Sequence, residues 1–322
     1  MLKTRLLSGL LLIGLCCAQF ASAAESFPTR PIRLIVASGP GGGLDFVARL
    51  IGPTLTESMG QSIVVDNRPG ATGSIAAELA ARATPDGYTA MLMSASLVVY
   101  EAVRKTRYDL FADFSPVSQV TAAPYILVVY PGLPVKSVAE LIAYAKAHPR
   151  ELNYSSTGNA SFVHLTTEWF RTATGTELVH VPYKGLSATY PDLLSGRIQM
   201  AFTSPASSMV HIRLNKLRPL AITSTARAKI LPELPTMIEA GVPGFVVAQW
   251  VGLLAPSGTP QSIVGRFHGE IVKALRQPEV SSRLAKEGLN SVGSSPREFK
   301  AHLKSEYDTW AGVIRQAGIK VK

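Results

Sequence analysis

Three times along the chain, a short apolar run ends in a cluster of small residues that opens directly into helical spacing. Ile32 to Ala37 is apolar except for Arg33 and leads through Ser38-Gly39-Pro40-Gly41-Gly42-Gly43 to Val47, Leu50, Ile51 and Leu55 at helical intervals. Ile63 to Asp66 leads through Arg68-Pro69-Gly70-Ala71-Thr72-Gly73 into a helix from Ser74. Leu152 to Ser156 leads past Thr157-Gly158-Asn159-Ala160 into a helix spanning Ser161 to Thr174. Strands alternating with helices predict an α/β fold with largely parallel sheets, because parallel neighbours need a helical crossover. A length of 322 residues suggests about two domains. With 47% hydrophobic and only 17% charged residues, the chain has the apolar material for packed cores and is not a disordered polymer.

Helix starts are marked by local chemistry. Ser137-Val138-Ala139-Glu140 and Ser295-Pro296-Arg297-Glu298 have the spacing of a capping box, in which serine and glutamate each satisfy an orphan backbone donor. Thr259-Pro260 opens another helix, running to about Arg276. Gly52-Pro53 is expected to kink or split the first helix, since proline lacks the donor. If there are two domains, the chain crosses between them near Tyr125 to Tyr130 and near Trp250.

Residues 1–24 read as a cleavable export signal: Lys3 and Arg5 precede the apolar run Leu6 to Leu15, and Ala21-Ser22-Ala23 offers small-x-small cleavage. The run of ~10 residues is too short for a bilayer, which needs ~20. A lipid anchor at Cys16 or Cys17 is disfavoured because Leu15 or Cys16 occupies the position where a small residue is wanted. These are the only cysteines, so a cleaved chain has no disulfide. Loss of Lys3 and Arg5 takes the net charge from +10 to +8. The basic residues are scattered singly, as at Arg266, Lys273 and Arg276, which suggests a solvated surface; with export, no nucleic-acid partner is expected.

A helix that starts just after a strand presents free N–H groups and the positive end of its dipole, so the three small-residue turns are candidate anion sites. In open α/β sheets such turns lie at the strand ends where ligands sit. Enzyme signatures fail. Gly39-x-Gly41-x-x-Leu44 lacks the third glycine of a dinucleotide fingerprint, no Walker lysine follows, and Gly185-Leu186-Ser187-Ala188-Thr189 misses the last glycine of a nucleophile elbow. The six histidines show no metal-ligand spacing, and neither a metal nor a cofactor is expected. His164 is singled out because it falls in the first turn after the third cluster. Asp45 suits a helix start by its charge alone, or faces a ligand's amino or hydroxyl group.

These residues also carry a resemblance. Pro31-Ile32-Arg33-Leu34-Ile35-Val36 followed by Pro40-Gly41-Gly42-Gly43-Leu44-Asp45 resembles the opening of the tripartite tricarboxylate transporter receptor family, also called Bug proteins. Val64 to Gly73, Pro85 to Thr89, Leu152 to Asn159 with His164-Leu165, His180 to Gly185 and Gly252 to Pro256 continue it in order over the whole mature chain. The resemblance implies a two-lobed, type II-like periplasmic-binding-protein fold. Lobe 1 is expected at 25–125 plus 250–322 and lobe 2 at 126–249, each a mostly parallel sheet flanked by helices. It implies a monomeric, non-enzymatic receptor in the periplasm that closes on a small carboxylate and serves membrane transporter subunits or a sensor. A secreted hydrolase or transferase on the same fold is the alternative and would need a nucleophile–base pair.

Carried over, the first grip is Gly41, Gly42 and Gly43 with Asp45, and the second is Ser156, Thr157, Gly158, Asn159 and Ser161, with His164 behind it. Thr72, Ser94 and Ser96 would line lobe 1, and Tyr183, Thr203 and Ser204 lobe 2. The chain departs from the family at Ala37-Ser38, which replaces a proline–aromatic pair, and at Ala160, which replaces a glycine. Thr203 stands where an acidic residue is frequent, which weakens the expectation of an amino-acid ligand.

Overall fold

The computed structural model describes residues 27–159, 161–183, 186–228 and 230–318; the 1–24 leader, Ala160 and Lys184-Gly185 lie outside them. Strand β1 (Ile32–Val36) is buried on both faces, as a continuous apolar run requires. Its one charged residue, Arg33, donates from Nε to Asp66 Oδ2 at 2.7 Å. That contact crosses to β2 (Ile63–Asn67), which runs parallel to β1 on one side, as β3 (Thr89–Ser94) does on the other. The long β4 (Phe114–Pro124) completes this sheet with β10 (Ala248–Pro256), which pairs antiparallel with both β3 and β4. A two-residue strand, β11 (Asn290–Ser291), closes the β4 edge.

A second sheet takes β5 (Ile126–Val129), β6 (Asn153–Ser156), β7 (Val179–Pro182), β8 (Met200–Thr203) and β9 (Arg218–Ile222), in the order β7-β6-β8-β5-β9. Here β6 is parallel to β7 and β8, whereas β5 is antiparallel to β8 and β9. Mostly parallel sheets were the expectation; each is in fact a parallel trio extended by antiparallel strands. The trios come from helical crossovers within a lobe. The strands that enter a lobe, β5 and β10, run against its trio, whereas those that leave it, β4 and β9, run with the trio and pair antiparallel to the entering strand.

The ten α-helices among the described residues are α1 (Gly43–Met59), α2 (Ser74–Ala81), α3 (Ala95–Val103), α4 (Val138–Ala147), α5 (Phe162–Thr174), α6 (Tyr190–Ser195), α7 (Pro205–Arg213), α8 (Gln261–Arg276), α9 (Pro278–Lys286) and α10 (Pro296–Ala317). Of the kink or split expected at Gly52-Pro53, the split does not occur: α1 runs unbroken through Pro53. Pro53 lies on the exposed face, while Val47, Ile51 and Leu55 hold the buried face in place. The capping box at Ser295 forms in full. At Ser137 only half of it forms, because Glu140 Oε2 accepts from the Lys136 N–H instead.

The two sheets are joined at two places. Tyr125 is the single residue between β4 and β5, and residues 223–247 connect β9 to β10. Thr223 fastens both crossings. Its N–H donates to the Tyr125 carbonyl (2.9 Å), its Oγ1 accepts from the Tyr125 N–H (2.8 Å) and donates to the Val247 carbonyl, and its own carbonyl accepts from Val247 N–H (3.0 Å). Beside them α10 packs on α3 and α5, with Trp310 edge-on to Phe162 at 4.8 Å and to Trp169 at 5.8 Å. The indole N–H groups of Trp250 and Trp310 both donate to Glu306 Oε2, at 3.1 Å each. Gly252 lets α10 approach this sheet, since a Cβ there would overlap the Phe299 ring.

Candidate ligand-binding cleft

Residues of both sheets surround three adjoining hollows of about 430, 320 and 430 Å³. Gln249, on β10 where the chain re-enters the first sheet, lines all three. Thr72 and Ser96 are shared by the first and second hollows, Gly43 and Leu289 by the second and third, and Tyr125 by the first and third. The hollows therefore form one cleft.

The glycine turn after β1 lines the third hollow with Gly41, Gly42 and Gly43. Gly41 has φ +78°, a conformation glycine adopts without steric cost. No side chain caps α1 at Gly42, so its first-turn N–H groups are presented without a serine or aspartate in front of them. Asp45 does not face the cleft, as a ligand contact would. It is buried behind the turn and accepts from the Gly41 N–H (2.9 Å), Asn67 Nδ2 (3.0 Å) and Arg49 Nε (2.9 Å). The Arg49 hydrogen bond, aided by Gly41 and Asn67, outweighs burial and holds its pKa down to about 2. With its acceptor positions taken, the carboxylate shapes the turn from behind.

The turn after β2 holds four successive residues at positive φ: Gly70, Ala71 (46°), Thr72 (56°) and Gly73. A β-branched residue there is strained by about 1–3 kcal/mol, and such strain collects at functional positions. Thr72 is the residue whose side of the turn lines two hollows. Ser94 and Ser96, at the start of α3, line the wall beside it.

The loop after β6 reaches the first hollow through Thr157, Asn159 and Ser161. Ser161 caps α5 by accepting from the His164 N–H at 3.2 Å. Ser156 and Gly158 sit behind the wall: Ser156 Oγ accepts from the Gly158 N–H (3.1 Å) and lies 2.6 Å from His180 Nε2. Beneath them His180 stacks on His164, ring centroids 3.9 Å apart, and on Tyr154 at 5.0 Å. Tyr154 donates to buried Glu168 (2.7 Å), which is paired with Arg171. Burial, and then the neighbouring His180, pushes the His164 pKa down to about 4; burial also lowers His180. Of the other expected contacts, Ser204 lines the third hollow, whereas Thr203 is fully buried and bonds Ile126 O. Tyr183 donates to Asp192 at 2.6 Å; burial, and then Asp192, pushes its pKa up to about 12.

The family model of the tripartite tricarboxylate transporter family receptor matches residues 47–319. This chain belongs to that family. BugT of Bordetella pertussis is 37% identical over 326 residues, covering 99% of each chain. Among solved structures, an R. palustris protein with adipate is 39% identical with a TM-score of 0.76, covering 91% of this chain and 99% of its own. A solute-binding protein from Polaromonas, solved with no ligand, is 26% identical with a TM-score of 0.83, covering 90% and 100%. The fold of this receptor is thus the two-lobed α/β fold of periplasmic binding proteins in its family.

Several cleft residues of the receptor escaped the sequence reading. Gln249 is the one polar side chain within Val246 to Leu254 apart from the Trp250 indole, a signal in hindsight, because a polar residue in a buried strand needs a partner. Tyr125 follows from the crossover. Val99, Tyr100, Val103 and Arg104 carry no such mark, since their spacing is that of any helix packed on a core.

Proposed function

We propose that this receptor captures a small carboxylate in the cleft, in the periplasm, and hands it to membrane transporter subunits without chemical turnover. The observation that carries this is the gathering of α1, α3 and α5, each by its N-terminal turn, around one cleft. Three helix starts supply backbone donors and dipoles of the sign a carboxylate needs. The adipate bound by the R. palustris relative supports the same ligand class. In this reading residues 1–24 are removed on export and the mature chain acts as a monomer. Lobe 1 comprises 25–125 and 250–322, and lobe 2 comprises 126–249. The division is supported by the sheet membership of the strands on either side of Tyr125 and by the exposure of Gln249 to all three hollows. Direct ligand contacts are assigned to the Gly41–Gly43 turn, Thr72, Ser94, Ser96, Thr157, Asn159, Ser161, Ser204 and Gln249.

The test is the melting temperature of the mature chain, unfolded and refolded to remove retained ligand, against a panel of mono-, di- and tricarboxylates and aromatic acids. A ligand at 100 times its Kd adds about 2.7 kcal/mol, a rise of several degrees for a chain of this size. A rise with one class of carboxylate, and no product formed from it, is expected. No rise with any member, for a protein shown to be folded, overturns the proposal.

A further inference from the structure

Glu306 Oε2 accepts two hydrogen bonds, from the indole N–H groups of Trp250 and Trp310, at 3.1 Å each. Both tryptophans are fully buried, and a buried indole N–H needs an acceptor. A separate backbone carbonyl for each would meet that need. One carboxylate oxygen serving both does more, because the two indoles support different walls of the cleft. Trp250 follows Gln249 on β10, and successive strand residues point to opposite faces, so holding the indole on one face orients the Gln249 amide on the other. Trp310, on α10, meets Phe162 edge-on at 4.8 Å. Phe162 opens α5 beside its cap Ser161, and both line the first hollow. The contacts then close on themselves. The Tyr125 hydroxyl reaches Gln249 Oε1 at 3.5 Å, and the Tyr125 ring lies 6.0 Å from the Phe162 ring. A path from Glu306 through Trp250, Gln249, Tyr125, Phe162 and Trp310 therefore returns to Glu306, with one side in the cleft and the other in the core. Among the described residues no arginine or lysine pairs with Glu306, so its carboxylate serves the indoles, and a charged acceptor strengthens both bonds.

We infer that Glu306 is a positioning residue for ligand binding: through Trp250 and Trp310 it fixes the separation between Gln249 and the Ser161–Phe162 start of α5. This rests on the carboxylate reading above. Glu306 itself lines none of the three hollows. A ligand held by both walls is sensitive to their spacing, and a loosened support lowers affinity even when every contact residue is present.

Isothermal titration of the refolded protein, with whichever carboxylate gives the largest rise in the melting panel, tests the assignment. Glu306→Met keeps the length of the side chain but removes the acceptor, and should weaken binding about tenfold. Glu306→Gln, which keeps an acceptor oxygen without the charge, should recover part of that loss. Ile271→Ala, in the core on the other face of the first sheet, should lower the melting temperature while leaving the Kd unchanged. In proton NMR of the wild type, the indole N–H resonances of Trp250 and Trp310 should both move as the ligand saturates. An unchanged Kd in a folded Glu306→Met protein overturns the inference, as does an equal loss of affinity in Ile271→Ala. Should the methionine variant fail to fold, the spectra decide, and indole resonances that both stay fixed at saturation overturn it. In each of these cases the ligand still binds and the receptor reading stands. No response to any carboxylate overturns the receptor reading itself.

Discussion

His164 and His180 lie face to face beneath the ligand loop, and burial keeps both imidazoles easier to deprotonate than in water. The pair touches the loop at two points, through Ser156 Oγ against His180 and through the Ser161 side chain that accepts the His164 N–H. Glu168 favours the protonated form of each ring, but burial outweighs it, aided at His164 by His180 and Arg171. The consequence for stability has a definite sign. His164 titrates near 4 when folded and near 6.5 when unfolded, so below 6.5 the unfolded chain binds the extra proton. The stability tied to this residue is present in full above about pH 6.5 and is lost as pH falls towards 4, by an amount on the order of 2 kcal/mol. Melting temperature measured across pH 4 to 7 should therefore drop on the acid side, and His164→Gln should flatten that slope. An identical slope in a folded variant would place the acid sensitivity elsewhere. Charging either ring also pushes on the other, so the same acidification should loosen the Ser156–Ser161 loop and weaken ligand binding.

Among the elements, the crossings at Tyr125 and Val247 depend on one buried hydroxyl. Thr223→Val keeps the shape of the side chain but removes both the acceptor for Tyr125 N–H and the donor for the Val247 carbonyl. Leaving two buried backbone groups without partners costs about 1–3 kcal/mol for each group that water cannot reach. Urea denaturation should show that loss as a lower midpoint with a normal slope, and an unchanged midpoint would mean that the backbone bonds between Thr223, Tyr125 and Val247 suffice alone. This latch was not legible in the sequence, because nothing about Thr223 differs from any threonine at a strand end until residues 125 and 247 are placed beside it. The elements themselves were legible, since apolar runs, glycine turns and caps are local signals. Strand direction was only partly so: the parallel trios follow from the strand–helix alternation, but the antiparallel partners depend on where the chain changes lobe. In the cleft, the glycine turn, Thr72, Ser96 and the Thr157–Ser161 loop stood out because small residues after a strand have a physical use. Asp45 was misplaced because its charge was visible and its three bond partners were not. Gln249 and Arg104 are brought to the cleft by tertiary packing, which leaves little local trace.

For the molecule as a whole, the two ligand grips are set apart along the cleft. The Gly41–Gly43 turn lines the third hollow and the Thr157–Ser161 loop the first, so the two grips do not share one cavity, although Gln249 and Tyr125 border both. A ligand that touches both loops at once favours whichever arrangement brings them together, and it shifts the lobes by its difference in affinity for the two arrangements. The packing of α10 against α5 and the Thr223 latch hold one side of the lobe boundary, so closure on a ligand is expected as a hinge movement about that side. All three tryptophans, Trp169, Trp250 and Trp310, belong to this packed side and should report the movement. Small-angle scattering of the refolded protein should give a smaller radius of gyration and a shorter maximum dimension once a carboxylate is saturating, with a parallel change in tryptophan emission. Gln249→Ala should weaken the ligand about tenfold without altering the scattering of the ligand-free protein, since the side chain lines the cleft and holds no core. Saturating ligand with unchanged scattering would show that the receptor binds without closing and that one grip is enough.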